Sequence, residues 1–335
     1  MLSRFRLSEY KDPFNEEKKM NKTTGVAVAL GVVLLLFAVI MFGLGAGEAQ
    51  EGSLFNFSVD QTTVVMRFVF VIVGLLIAFA IYFFTREHGA WEVGTRQVVW
   101  MAIGAALYAI FSYLFNGTVF VVPSASQVAL RPAIAIPMFF GYAFGPVVGF
   151  FTGAVGNMFG DALTGFGLSP QWSIGNGLIG FIAGLSMLFR DRKQSMNTVL
   201  YVSGALVLLT ALLYFLNRDQ PNMLFFDPEN NVFGDATISV FAGLSIVIGF
   251  ILVVAVRYLF ASNENVAAAV TWGMLGNILG LLFASLSDIW INGFSLPVTI
   301  VGQFLPAAGP NLIFAAILVP MLVGAYASVQ RQSGR

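Results

Sequence analysis

The sequence has no cysteine and a single histidine, His88, in 335 residues. Without cysteine the chain cannot form disulfides, use a thiol nucleophile or bind a metal through thiolates. One histidine, interpreted as a solvated loop residue, leaves no Ser-His-Asp triad to assemble. Neither an H-E-x-x-H zinc motif nor a G-x-x-x-x-G-K-[ST] phosphate loop occurs. We therefore predict that the chain is not an enzyme, that it needs no cofactor or metal, and that it does not hydrolyse ATP at a Walker-type site.

Charge is scarce as well. Only 10% of the residues are charged and 58% are hydrophobic, whereas soluble domains carry about 25% charged residues. The net charge is zero, and no basic face indicates a nucleic-acid partner. This composition is typical of an integral membrane protein, and we predict an all-α polytopic fold.

The apolar segments predict the number and orientation of the membrane spans. A transmembrane helix needs about 20 apolar residues, and fewer where the segment is short or broken. We predict about ten, at residues 25–44, 64–84, 98–115, 133–144, 146–163, 173–189, 199–216, 238–256, 266–286 and 304–325. If the N-terminus is inside, all of the 17 Lys and Arg residues fall in inner segments except Arg67, Arg131 and Arg218. Since cytoplasmic loops carry an excess of Lys and Arg, we expect both termini in the cytoplasm.

Segment 133–144 differs from the other nine. At 1.5 Å per residue it is about 18 Å long, too short for a hydrocarbon core of about 30 Å. Pro132, Pro137 and Pro146 punctuate it, and Gly145 alone separates it from the next segment. Short segments interrupted by Pro or Gly point to the binding site of a transporter. A tilted helix with its ends buried in protein is the alternative.

Polar residues in or beside the spans are the candidates for substrate binding. Asn157 and Asp161 are four residues apart and share one helix face, and a carboxylate at membrane depth indicates a functional site. In the predicted topology the candidates lie in the outer half of the membrane or at its lip: Arg131, Asn157, Asp161, Trp172, Asn176, Asp288 and Asn311. Such a set suits a small, partly polar ligand. Three alternatives stay open: Asn residues that only join helices, an ordinary interfacial role for Asp288, and an ion pair between Arg131 and Asp161.

Two segments share the spacing G-x-x-G-N-x-x-G, one from Gly153 to Gly160 and one from Gly273 to Gly280. Small residues at this spacing let helix backbones approach closely in lipid. Convergent helix packing and internal duplication both explain the repetition.

The third span contains two pairs of small residues, Ala102/Ala106 and Ala105/Ala109. Small-xxx-small pairs allow another helix to approach closely. The other helix belongs either to this chain or to a partner membrane protein, and the sequence leaves both interpretations open.

Three runs occur in a fixed order between residues 96 and 185. The AxxxA pairs come first, then F-G-P-V-V-G (144–149) followed by G-N-x-x-G-D (156–161), then W-x-I-G-N-G-L-I-G-x-I-A-G-L (172–185). Together they resemble the substrate-binding S components of energy-coupling factor (ECF) transporters, the vitamin-uptake systems of prokaryotes. The segment FLPAAGPNLIFAAILVPML (304–322) is similar to the last helix of that family.

The resemblance implies a six-helix core that binds a vitamin or related small molecule with high affinity from outside. It places Asn157, Asp161, Asn176 and Asn311 in the pocket. It also implies partners on separate chains, a transmembrane coupling protein and two cytoplasmic ATPases. The AxxxA helix, with Ala102, Ala105, Ala106 and Ala109, would face the coupling protein, and toppling of the whole subunit would release the substrate inside.

Members of that family have six spans, so four of the ten predicted here are additional. We predict that residues 1–95 form a cytoplasmic tail and an accessory two-helix hairpin, and that residues 96–335 form the transport core with a two-helix insertion around 199–256. Riboflavin is the first candidate substrate, with Trp172 stacking on its ring. The alternatives are a stand-alone ion-coupled carrier that uses Asp161 or Asp288, and a non-transporting receptor or scaffold.

Overall fold

The computed structural model describes residues 21–47, 53–115, 131–165, 167–223, 226–227, 232–233 and 237–333. These residues form ten α-helices: α1 Lys22–Phe42, α2 Val64–Thr85, α3 Thr95–Phe115, α4 Ala135–Phe144, α5 Pro146–Thr164, α6 Pro170–Gly184, α7 Arg192–Leu216, α8 Val240–Leu259, α9 Glu264–Ile291 and α10 Leu305–Gln332. Short 3-10 helices occur at Leu44–Ala46, Gly89–Trp91, Pro132–Ile134 and Leu185–Leu188, and a π-helix, Val298–Phe304, leads into α10. Two-residue strands, β1 Phe226–Asp227 and β2 Val232–Phe233, pair antiparallel.

The prediction of a helical fold is confirmed, because each of the ten predicted segments overlaps one α-helix. Seven helical spans within the described residues are long and apolar enough to cross a membrane, judged by length and composition. The other three helices are α4 with ten residues, α6 with 15, and α5, whose 19 residues include Asn157 and Asp161. The count of ten membrane spans and their orientation remain predictions.

The break between α4 and α5 follows from its two residues. Gly145 has a φ of +109°, a conformation that is accessible to glycine and strained for other residues. Pro146 occupies the first position of α5, where its missing N–H would have no partner in the helix anyway. The preceding helical unit, Pro132–Phe144, is correspondingly short.

Helix α6 is the centre of the bundle, and every residue in it except Trp172 is buried. Glycines on three helices allow this burial. A Cβ added to Gly180 of α6 would overlap the backbone of Gly149 on α5, and one added to Gly280 of α9 would overlap the backbone of Gly175 on α6. Helices that meet through glycine pack backbone to backbone, as small residues allow in membranes.

The two G-x-x-G-N-x-x-G segments have the same role in this packing. The first lies on α5, where Gly153 contacts the backbone of Asn176, and the second lies on α9, where Gly276 contacts the backbone of Ile179. Both therefore pack against α6, from different sides. This contact supports the packing interpretation of the shared spacing.

The helices predicted to be additional pack directly on the other helices. In α2, Gly74 faces Ile174 of α6, and in α8, Gly249 faces Leu312 of α10. One end of the bundle holds Arg131, the first turn of α6 and the last turn of α9, and we name it the Arg131 end. The opposite end, with the first turns of α7 and α9, is the Arg192 end.

Candidate functional site

Five polar side chains from three helices meet near the Arg131 end, and we name them the amide cluster: Tyr108, Asn157, Asp161, Ser173 and Asn176. The Tyr108 hydroxyl donates to Asn176 Oδ1 at 2.9 Å and to Asn157 Oδ1 at 3.5 Å. The Asn157 amide donates to Asp161 Oδ2 at 2.7 Å and to the Ser173 hydroxyl at 3.1 Å. Asn157 is thus the residue through which the cluster connects α3, α5 and α6.

Glycines set the spacing of the cluster. Gly156, next to Asn157, would bring an added Cβ to 2.9 Å from both the Ala105 carbonyl oxygen and the Tyr108 Cβ. Gly153, one turn earlier, lies against the backbone of Asn176. Larger residues at these positions would push α3 and α6 away from α5. The polar side chains would then lie beyond the range of about 3 Å that their hydrogen bonds need.

A small cavity opens beside the amide cluster. Its volume is about 10 Å³, room for about one water molecule, and its walls are Tyr108, Ser112, Phe115, Arg131, Ala133 and Asn157. Arg131 is exposed, whereas Asn157 is 2% exposed. Within the described residues the one side-chain ion pair joins Arg86 and Glu87. Arg131 and Asp161 therefore do not form the ion pair that the sequence left open.

Asp288 belongs to a second network at the same end. It is 1% exposed, and its carboxylate accepts hydrogen bonds from four neutral side chains. The donors and distances are Gln171 at 2.9 Å, Asn292 at 2.9 Å, Gln303 at 3.0 Å and the Trp172 indole at 3.1 Å. Such a set satisfies a buried carboxylate without a direct cation.

Arg67 completes this second network, and it was not among the predicted site residues. It is 8% exposed and donates to Gln171 Oε1 at 3.0 Å and to Asn292 Oδ1 at 3.5 Å. The two amides thus stand between its charge and that of Asp288. A lone arginine inside an apolar span is the sequence signal that could have identified it, since such a charge requires a partner.

The network continues into the segment before α2. The Thr63 hydroxyl accepts from Arg67 Nε at 2.8 Å and donates to Asp60 Oδ2 at 2.9 Å. Side-chain and backbone hydrogen bonds from Thr62 lower the pKa of Asp60. This carboxylate therefore stays ionised to a lower pH than an isolated aspartate and can orient the hydroxyl that Arg67 contacts.

Trp172 connects the two networks. Its indole N–H donates to Asp288, and its backbone oxygen accepts from Asn176 Nδ2 at 2.9 Å. Asn311 belongs to neither. It is 4% exposed in α10, where Asn277 of α9 donates to the nearby Ala308 carbonyl at 2.9 Å. The structure therefore brings Arg131, Asn157, Asp161 and Asn176 together, and sets Asp288 and Asn311 apart.

The cluster includes two residues that were not predicted from the sequence, Tyr108 and Ser173. Tyr108 follows Ala105 by three residues and so shares its face of α3. Ser173 likewise precedes Asn176 by three residues on α6. Polar residues one turn from a candidate are the signal that could have identified both.

The two alanine pairs of α3 face different surroundings. Ala105 and Ala109 are 8% and 6% exposed, and they lie against Gly156 and Gly160 of α5. Ala102 and Ala106 are exposed on the other side of α3. That exposed side also carries three large apolar residues, Ile103, Leu107 and Ile110. One pair is thus positioned for internal packing, and the other is accessible to another molecule.

The described residues contain no group of three His, Cys, Asp or Glu side chains that could hold a metal ion. The amides and hydroxyls of the amide cluster can both donate and accept hydrogen bonds, and its carboxylate accepts them. This arrangement can bind a polar molecule at the mouth of the cavity.

Comparison with known proteins gives a family match. The model described as "ECF-type riboflavin transporter, S component" matches residues 92–219. This range contains all five residues of the amide cluster and both alanine pairs, and excludes Asp288 and Asn311. No solved structure matches the chain.

Three relatives are UPF0397 proteins. One from Vibrio atlanticus is 30% identical over 182 residues, which are 52% of this chain and 97% of that protein. One from Aliivibrio salmonicida is 34% identical over 102 residues, 30% of this chain and 54% of that protein. One from Aliivibrio fischeri is 31% identical over 126 residues, 38% of this chain and 66% of that protein. About half of this chain thus accounts for nearly the whole of the first relative.

Proposed function

Because the chain belongs to the S components of ECF transporters, we propose that it is the substrate-binding subunit of an ATP-driven importer for a vitamin or related small molecule. It is a multi-pass protein of the prokaryotic plasma membrane. The observation that carries the proposal is the amide cluster, which lies beside a cavity within the region matched by the family model.

The substrate would bind at the Arg131 end. Asn157 lines the cavity and already exchanges hydrogen bonds with Tyr108 and Asp161. A planar heterocycle with alternating carbonyl and N–H groups can replace these internal partners one for one, because amides and hydroxyls both donate and accept. Riboflavin has such a ring edge and is named in the description of the matching family, so it is our first candidate.

Asp161 and Asn176 would bind the substrate directly, and Arg131 would bind at the mouth of the cavity. Trp172 is half-buried, and its indole N–H is held by Asp288, so its ring has a fixed orientation against which a ligand ring can stack. Asp288 and Asn311 would act at a distance, Asp288 by holding Trp172.

The orientation of the chain determines which side of the membrane each end of the bundle faces. With ten spans and both termini in the cytoplasm, the Arg131 end faces outside and the Arg192 end faces the cytoplasm. The excess of Lys and Arg in the inner segments supports this orientation. The substrate would then enter from outside, and ATPases on separate chains would act from the opposite side.

The helices divide into a core and additions. Residues 96–335 would form the transport core, with an insertion around 199–256 that contains most of α7 and most of α8. Residues 1–95 would form the cytoplasmic tail and the accessory hairpin. The family match begins at residue 92, close to the proposed start of the core, which supports the first boundary. The exposed side of α3, with Ala102 and Ala106, would receive the coupling protein.

A binding titration tests the proposal. The protein is purified in detergent, and quenching of riboflavin fluorescence is followed with thiamin, biotin and folate as competitors. We expect saturable quenching that these competitors do not reverse. Binding of another vitamin would change the substrate and leave the role intact, whereas folded protein that binds none of them would contradict the role.

An uptake assay separates the importer from a carrier. Cells that express this chain alone are compared with cells that also express a coupling protein and two ATPases. We expect concentrative uptake only in the second case, with no loss when the proton gradient is collapsed. Uptake by the chain alone that disappears with the gradient would instead indicate an ion-coupled carrier.

A further inference from the structure

A second cavity lies at the Arg192 end, between the first turns of α3, α7 and α9 and the last turns of α4 and α10. Its volume is about 290 Å³. Its walls share no residue with the first cavity and include no residue of the amide cluster. The polar residues that matter here are Arg96, Tyr142, Ser186, Arg192 and Asn265.

The cationic wall of this cavity is held in place by one amide. Asn265 Oδ1 accepts hydrogen bonds from Arg192 Nη1 at 2.7 Å and from the Tyr142 hydroxyl at 3.0 Å. Arg96 lines the same cavity, and in the described part of the chain it has no ion pair. Neither Asp nor Glu is among the lining residues. The cavity therefore presents two guanidinium groups without a carboxylate in its wall.

Ser186 gives an independent indication of a ligand. It lines the cavity and is 6% exposed, and its hydroxyl has no hydrogen-bond partner within the described residues. A buried polar group without a partner is destabilising by about 1–3 kcal/mol. A bound molecule that carries hydrogen-bond acceptors would supply the partner.

Helix ends of both kinds meet at this cavity. Arg96, Arg192 and Asn265 lie in the first turns of α3, α7 and α9, where the helix dipole is positive, whereas the last turns of α4 and α10 carry the opposite partial charge. The two arginine side chains therefore supply the positive charge of the cavity.

We propose that this cavity binds the phosphate group of an anionic phospholipid from the cytoplasmic leaflet. Arg96 and Arg192 pair with the phosphate, and Tyr142 and Ser186 donate their hydroxyls to it. The assignment to the cytoplasmic leaflet rests on the orientation proposed above.

The apolar part of the wall distinguishes a lipid from a soluble phosphate. Phe139, Val323 and Tyr326 line the cavity, and the rings of Phe139 and Tyr326 pack edge to face with centroids 5.7 Å apart. A cationic rim over an apolar wall matches a charged headgroup above an acyl chain. Basic pockets between transmembrane helices on the cytoplasmic side are typical sites for anionic headgroups.

Native mass spectrometry of the protein in mixed lipid nanodiscs tests the proposal. The nanodiscs contain phosphatidylglycerol and phosphatidylcholine in equal amounts, and retained lipids are counted for three proteins. These are the unmodified chain, the double variant Arg96→Gln/Arg192→Gln and the control Arg190→Gln/Lys193→Gln. The control removes the same charge from exposed residues at the same end that do not line the cavity.

We expect the unmodified chain to retain one phosphatidylglycerol selectively, and the control to do the same. In the Arg96→Gln/Arg192→Gln variant the selectivity should fall at least about tenfold, because charge-assisted hydrogen bonds are lost. Riboflavin titration of the same preparations reports separately on the Arg131 end and should be unchanged. Arg96→Gln alone provides the same test if the double variant does not fold.

Three results would overturn the proposal. An equal loss in the Arg190→Gln/Lys193→Gln control would mean that the lipid responds only to overall charge. Displacement of phosphatidylglycerol by millimolar inorganic phosphate would assign the cavity to a soluble anion. Unchanged lipid selectivity together with loss of co-purification with the coupling protein would make the cavity a protein-docking surface.

Discussion

Asn157 donates its side-chain amide to Asp161 Oδ2, one helical turn away on α5, at 2.7 Å. The same amide donates to the Ser173 hydroxyl, and its oxygen accepts weakly from Tyr108. Asn157 also lines the cavity. A ligand that enters the cavity therefore meets polar groups that are already oriented, so less ordering is required on binding than in a disordered pocket.

The first prediction is that Asn157→Ala lowers riboflavin affinity. The alanine removes a donor and an acceptor at the cavity wall and releases Asp161 from its 2.7 Å hydrogen bond. We expect the dissociation constant to rise at least about tenfold, which corresponds to about 1.4 kcal/mol. Fluorescence titration measures this, and thermal unfolding in detergent checks that the variant is folded.

Asn277→Ala is the matched control for Asn157→Ala. Asn277 has the same place in the second G-x-x-G-N-x-x-G segment, is fully buried, and donates to the Ala308 carbonyl on α10. Its loss should cost about 1 kcal/mol of stability with riboflavin affinity unchanged. Equal losses of affinity in the two variants would show that Asn157 acts only through packing.

The second prediction concerns Arg67 and Asp288. Asp288→Leu leaves four side-chain donors without their acceptor and removes the negative charge that acts on the buried Arg67 guanidinium through two intervening amides. Removal of one partner from a buried charge pair typically costs about 3–5 kcal/mol. Arg67→Met/Asp288→Leu removes both charges and should be less destabilised than the sum of the single variants Arg67→Met and Asp288→Leu. Thermal unfolding of the two single variants and the double variant measures the interaction free energy between Arg67 and Asp288. The exposed Glu87→Gln is the control.

If the stability lost in the double variant equals the sum of the losses in the two single variants, the two intervening amides, Gln171 and Asn292, screen the charges completely. The pair would then be two separate structural residues. If the double variant loses less stability than that sum, Arg67 helps to fix α2 to its neighbours, since its guanidinium donates to Gln171 of α6 and to Asn292 just after α9.

Local features of the fold could be predicted from the sequence, because they depend on a few neighbouring residues. The break at Gly145 and Pro146 follows from their backbone preferences, and the shared face of Asn157 and Asp161 follows from helical spacing. The partners of Arg67 could not be predicted, since they lie 104 and 225 residues away in the chain. A single sequence carries no signal that joins such distant positions.

The alanine pairs show a different limit. Ala102/Ala106 and Ala105/Ala109 both have the spacing for close helix contact, but they point to different sides of α3. The side that faces the core depends on the glycines of α5, where Gly156 lies against Ala105. Packing between helices determines which side of α3 is buried, so this side cannot be predicted from the spacing of residues within α3.

The third prediction is that Gly180→Ala strongly destabilises the protein. An added Cβ would overlap the backbone of Gly149 on α5, and neither backbone can move without separating α5 from α6. We expect a loss of at least about 2 kcal/mol, as for other overpacked cores. Gly31→Ala is the control, because an added Cβ there meets no atom within 4 Å. A similar melting temperature for both variants would contradict the central packing of α6.

The fourth prediction separates the two alanine pairs. Ala106 is exposed, so Ala106→Leu should leave folding and riboflavin affinity intact while it blocks close approach of the coupling protein. We expect co-purification with that protein and uptake to be lost. Ala105→Leu should instead lower the melting temperature, because Ala105 is 8% exposed and packs on Gly156.

Ala80→Leu supplies the control for this comparison, since Ala80 is also exposed but lies on α2 of the accessory hairpin. Both exposed substitutions add the same bulk to a membrane-facing surface, so a difference between them reports the docking side and not a general effect of size. Co-purification of Ala106→Leu at the level of Ala80→Leu would remove the exposed side of α3 as the docking surface. Loss in both would extend that surface to α2, which packs against α6.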